Sequence, residues 1–119
     1  MLEVAVRRFG RRASSRTGAV MSFIQIIEVR TTRAGEIQAL VDEWMARTEG
    51  KRTARRATLT ADRDRPDTYV QIVEFPSYED AMANSKLPET TELAGRLAEL
   101  ADAPPAFRNL DVQRVDELG

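Results

Sequence analysis

Tyr69–Phe75 reads YVQIVEF, followed by Pro76 and then Ser77-Tyr78-Glu79-Asp80. Its β-branched and aromatic residues suit a strand. Pro76, lacking an N–H, stops it. Alternation puts Tyr69, Val73 and Phe75 on one face and Val70 and Ile72 on the other. A strand apolar on both faces belongs inside a sheet covered on both sides. Phe23–Val29 (FIQIIEV) has the same character, with Phe23, Ile27 and Val29 on one face and Ile24 and Ile26 on the other. These two strands are expected side by side at the sheet centre.

Ser77-Tyr78-Glu79-Asp80 resembles a capping box, with Asp80 in place of Glu, and opens a short helix over Tyr78–Ser85. Pro88 suits the first position of the next helix. Leu93, Leu97 and Leu100 form that helix's apolar stripe, and Pro104 and Pro105 end it. Phe107–Val115 is the expected last strand. Upstream, Thr31 and Thr32 offer an N-cap to a helix over Ala34–Thr48. Ile37, Leu40, Val41, Trp44 and Thr48 share its inner face, and Gly50 suits its C-terminus. Thr53–Ala61 reads as a strand with Arg55, Ala57, Leu59 and Ala61 on one face, and Asp62–Asp67 (DRDRPD) as a charged turn. The order is β-α-β-β-α-β with the second helix split, an α+β ferredoxin-like arrangement with expected strand order 4-1-3-2.

Both helices of such a fold cover the same sheet face. Since both faces of the central strands are apolar, the one left uncovered is an apolar patch. A second copy packed on it, burying about 800 Å² per partner, is the simplest cover. A two-fold homodimer is therefore expected, forming a dimeric α/β barrel.

Composition excludes several function classes. The 119 residues are 42% hydrophobic and 31% charged, with net charge -1. That balance suits one packed domain and gives no overall field for nucleic acid or anionic membrane. No Cys and no His are present, which removes disulfides, thiolate sites, the commonest general base and the favoured zinc and haem ligands. No metal and no cofactor is expected, and no apolar run is long enough to span a bilayer. Residues 1–20 hold five Arg against one Glu and show no structural period. They read as an extended or disordered tail, or as a start upstream of the true one at Met21, leaving 21–119 as the domain. A cytoplasmic location follows from the missing secretory core. Sixteen Arg against two Lys is a composition associated with GC-rich bacterial genomes.

From Phe23 to Val115 the chain resembles the dimeric α/β-barrel superfamily, closest to its antibiotic biosynthesis monooxygenase branch. The residues that carry the likeness are Tyr69–Phe75, Ser77-Tyr78-Glu79-Asp80-Ala81, Asn84-Ser85, Pro88 and the closing Phe107–Val112. The resemblance implies a pocket between sheet and helices. It also implies chemistries that include oxidation of aromatic polyketides by O₂ without metal or flavin. Many members carry a His where Asn84 stands here, so reactions needing an imidazole, haem ligation among them, do not carry over.

Trp44, Arg56, Tyr69 and Asn84 are the substrate-binding candidates: an aromatic wall, a cation for an anionic oxygen, a proton donor and an amide. Each also has a plain structural role: core for Trp44, edge charge for Arg56, strand end for Tyr69 and helix end for Asn84. No catalytic residue is assigned. The leading reading is a cofactor-independent monooxygenase-like enzyme acting on a small aromatic or polyketide-like molecule. The alternative is a non-catalytic dimeric module, binding a small apolar ligand or serving a stress role. A proton-transfer enzyme would need Glu28 or Glu74 facing the cavity. Any enzyme reading needs a cavity larger than a few waters.

Overall fold

The computed structural model describes residues 21–119; the expectation for residues 1–20 lies outside them. The elements are β1 (Phe23–Arg30), α1 (Ala34–Arg47), β2 (Arg56–Ala61), β3 (Thr68–Phe75), α2 (Tyr78–Ser85), α3 (Pro88–Leu100) and β4 (Ala106–Asp111). The sheet runs β2-β3-β1-β4 with every neighbouring pair antiparallel. This is the expected ferredoxin-like order, with the two apolar strands at the centre.

Register divides the side chains between two faces. Phe23 lies opposite Phe75, Gln25 opposite Val73, Ile27 opposite Gln71 and Val29 opposite Tyr69. All of these share the helix-covered face, where Phe23, Val73 and Phe75 bury against Ala81 of α2. Val29 buries with Ile37 and Leu40 of α1 and Leu97 of α3. Ile27 touches both clusters and joins them into one core. At roughly 25 cal/mol per Å² of apolar surface, this side supplies the main folding drive. Ile24, Ile26, Val70 and Ile72 fall on the opposite face, which no helix of the described residues covers.

Three local readings shift. The Thr31 side chain does not cap α1 directly; Arg33 holds the N-cap position. Thr31 Oγ1 instead accepts from the Arg33 N–H at 2.9 Å and donates to the Leu100 carbonyl at 2.9 Å. It ties the start of α1 to the end of α3. The second strand begins at Arg56 rather than Thr53, because Thr53 turns to hydrogen-bond the Asp80 carbonyl. The last strand ends at Asp111 rather than Val115; one more backbone bond, from the Val112 N–H to the Ser22 carbonyl at 2.8 Å, closes it. Elsewhere local chemistry acts as expected. Ser77 Oγ accepts from the Asp80 N–H, and Gly50 takes φ 82°, where a side chain would be strained.

Candidate functional site

The fold leaves a partly open cleft between sheet and helices. Ile27 and Val29 of β1, Ile37 of α1 and Leu97 of α3 form its floor and roof, with Ala34 at one end and Leu59 of β2 at the mouth. Tyr69 and Gln71 of β3 are its only polar lining residues. They alternate with Val70 and Ile72, so strand periodicity delivers both to the helix side. Gln71 lies between Ile27 on one neighbouring strand and Leu59 on the other. Neither the Gln71 amide nor the Tyr69 hydroxyl bonds another side chain or backbone group among the described residues.

A water-sized sphere finds about 20 Å³ of room inside, enough for about one water. Counting the mouth, the empty space is about 360 Å³. The enclosed cleft therefore does not meet the size expected above of an enzyme cavity, more than a few waters; only with the open mouth side included is there room for a small molecule. That side is the weakly covered one: every residue of β2 is exposed, Leu59 to 40%.

Of the four candidates, only Tyr69 lines the cleft. Trp44 lies in the seam between α1 and α3, where its indole N–H donates to Thr90 Oγ1 at 2.9 Å and Arg52 sits 5.8 Å from its ring. Its stripe position is helical, but it points at the neighbouring helix rather than the sheet. Asn84 is 6% exposed, and its side-chain oxygen accepts from the Thr53 N–H at 3.3 Å. It pins the loop after α1 to α2. Arg56 is opposite Glu74 and pairs with it at 3.6 Å, on the uncovered sheet face. Glu28 also points to that face and pairs with Arg65 at 3.3 Å. Neither carboxylate faces the cleft, so the proton-transfer reading loses its base. Gln71, which is not among the four candidates, lines the cleft beside Tyr69. The signal was its shared parity with Tyr69, Val73 and Phe75.

Shifted pKa values lie away from the cleft. Hydrogen bonding from Lys51 holds the Glu89 carboxyl below its ordinary range, and Arg33 does the same for Glu36. Asp62 is lowered first by the Asp64 N–H and then by Arg65. A larger groove, about 290 Å³, runs between α1 and α3 over Ala39, Leu40 and Leu100. Its Glu36 and Glu43 are already paired with Arg33, Arg47 and Arg96, so it reads as a salt-bridged seam. Among the described residues no cluster of metal-binding side chains occurs, and no helix is long and apolar enough to cross a membrane.

No protein-family model matches the chain. No curated protein matches it in sequence. Solved structures do match in fold. The cofactor-independent oxygenase SnoaB of Streptomyces nogalater superposes with TM-score 0.66 at 14% identity, over 81% of this chain and 97% of that one. An antibiotic biosynthesis monooxygenase gives 0.62 at 15% identity, over 77% and 99%. A conserved protein from Methanosarcina mazei Go1 gives 0.66 at 11% identity, over 78% and 95%. The likeness to antibiotic biosynthesis monooxygenase-like structures establishes the ferredoxin-like fold; at these identities it says nothing of the reaction.

Proposed function

We propose that the cleft takes a small aromatic or polyketide-like molecule and that the protein promotes its oxidation by O₂ without metal or organic cofactor. The observation that carries this reading is the lining: an otherwise apolar cleft with two neutral hydrogen-bonding groups, Tyr69 and Gln71. Its fold likeness to SnoaB, a cofactor-independent oxygenase, points the same way.

The lining constrains the chemistry. A tyrosine hydroxyl and an amide are not bases at neutral pH. The substrate must therefore ionise by itself, as an acidic phenol or a β-dicarbonyl does. Once formed, its anion is electron-rich and reduces O₂ directly. The Tyr69 O–H and the Gln71 N–H₂ are the donors available to the ligand's oxygens, each at a different part of the ligand, and the apolar walls exclude competing water. We place the working form as a homodimer, with Ile24, Ile26, Val70 and Ile72 of two copies packed together.

A second reading, a non-catalytic module that binds a small ligand or serves a stress role, is favoured by one finding. Trp44, Asn84 and Arg56 are engaged elsewhere and do not converge on the cleft. The two readings separate in one experiment. The full chain is incubated in air with hydroxylated bicyclic and tricyclic aromatics and with cyclic β-diketones. Binding is read by fluorescence and O₂ uptake by electrode. Uptake above the spontaneous rate that falls in Tyr69→Phe supports the oxygenase; binding without uptake selects the module. Failure to bind any of them removes both readings.

A further inference from the structure

Gln71 has no role in the fold that accounts for its chemistry. It occupies β3, a central strand, on the core side, two residues from the buried Val73. Its cross-strand neighbours Ile27 and Leu59 are apolar and offer its amide no partner. An aliphatic residue there would extend the core from Val29 through Ile27 to Val73. A half-buried amide without a partner works against folding unless something else satisfies it. Gln25, the other amide on this face, shows the usual solution: its Nε2 donates to Asn109 Oδ1 at 3.3 Å. Gln71 instead lines the cleft, with no partner for its amide among the described residues.

We infer that Gln71 is the specificity-determining residue of this cleft, selecting flat apolar ligands that carry a hydroxyl over the corresponding hydrocarbons. This rests on the cleft being a ligand site, as proposed above. The amide offers an acceptor for the ligand O–H and donors for its oxygen, while the surrounding aliphatic walls contact the rings without distinguishing the two ligands. Tyr69 lies two residues along, roughly 7 Å away on the same face. It reaches a different part of the ligand, so the two side chains do not replace each other.

The probes are naphthalene, 2-naphthol and 2-methoxynaphthalene, with dissociation constants measured on the full chain by ligand fluorescence. Wild type binds 2-naphthol about tenfold more tightly than naphthalene, the worth of one well-made hydrogen bond in an apolar site. Gln71→Met, nearly isosteric but without hydrogen-bonding groups, binds naphthalene as before and loses the preference. Tyr69→Phe keeps most of it. The methyl ether retains an acceptor and loses the donor. Affinity for it between the other two ligands, unchanged in Tyr69→Phe, supports two-way use of the amide and tests the inference even if Gln71→Met does not fold; a preference lost in Tyr69→Phe overturns it. Equal wild-type affinity for all three probes overturns the role of Gln71 and leaves the ligand site standing. So does a preference that survives in a folded Gln71→Met. No binding of any probe overturns the site and the inference together.

Discussion

Thr31 and Thr48 are both fully buried, at 0% exposure, and each donates a side-chain hydrogen bond to a backbone carbonyl. A reckoning by burial alone makes Thr31→Val and Thr48→Val equivalent. Their partners make them unequal. Thr48 Oγ1 donates at 2.7 Å to the Trp44 carbonyl, which already accepts the Thr48 N–H at 3.0 Å. Thr48 Oγ1 also accepts from Arg52 Nη1 at 3.3 Å, but that nitrogen donates to the Met45 carbonyl at 2.8 Å as well. Removing the hydroxyl therefore leaves both partners satisfied and costs about 1 kcal/mol. Thr31 Oγ1 serves two groups with no second partner. The Leu100 carbonyl would take its helical donor from residue 104, but that is Pro104, which has no N–H. The Arg33 N–H, at the N-cap of α1, finds its acceptor in Thr31 Oγ1. Thr31→Val orphans both, and at about 1–2 kcal/mol for each the loss is roughly 2–4 kcal/mol. For a domain of this size that lowers Tm by about 10–20 °C, against about 5 °C for Thr48→Val. Urea and thermal unfolding of both variants by circular dichroism measure the difference. Equal losses, or a Thr31→Val loss below about 1 kcal/mol, would refute the reasoning that unsatisfied partners rather than burial set the cost.

Ile72 lies at the centre of the uncovered face, opposite Ile26 on β1 and Thr58 on β2. Ile72→Glu should give a folded monomer by analytical ultracentrifugation where wild type sediments as a dimer; wild type remaining monomeric at high concentration contradicts the proposed assembly. Glu89 is lowered by its bond to Lys51, so its contribution to stability is present above the unfolded value of about 4.3 and is lost as pH falls through the lower folded value. Glu89→Gln should therefore flatten the fall in urea midpoint below about pH 4 and leave the curve between pH 6 and 8 parallel to wild type; an unchanged acid limb counts against the pair.

The fold was legible because β1 and β3 carry their information twice, in composition and in alternation. FIQIIEV and YVQIVEF are apolar on both faces, which only central strands of a two-sided sheet require. The candidate site was less legible, and the reasons differ by residue. Arg56 was readable: Ala57, Leu59 and Ala61 share the cleft side, so parity sends Arg56 the other way and would have put Arg55 on the cleft side of the sheet. Trp44 was not. Its helical spacing places it on the inner half of α1, but whether it meets the sheet or α3 depends on how the two helices pack. Asn84 follows a matched motif, and the Thr53 N–H that occupies it comes from a loop with no pattern of its own. Gln71 was visible by parity and passed over because a polar residue in a strand usually marks an edge or an interface.

The cleft and the uncovered face are also mechanically joined. The molecule is only 19 Å across its thinnest dimension, one sheet and one helix layer at about 10 Å each. Val70 and Ile72 flank Gln71 along the same strand and point to the opposite side. Whatever packs on that side holds the backbone from which Tyr69 and Gln71 project. In a monomer the ligand must order these side chains itself, at about 0.5–1.5 kcal/mol each. In the proposed dimer the partner's packing has already stiffened the strand. A folded monomeric Ile72→Glu should thus bind 2-naphthol about 5- to 150-fold more weakly than wild type, although residue 72 does not touch the cleft. The same fluorescence titration measures it, and a folded monomer with unaltered affinity would show that the two faces of the sheet act independently.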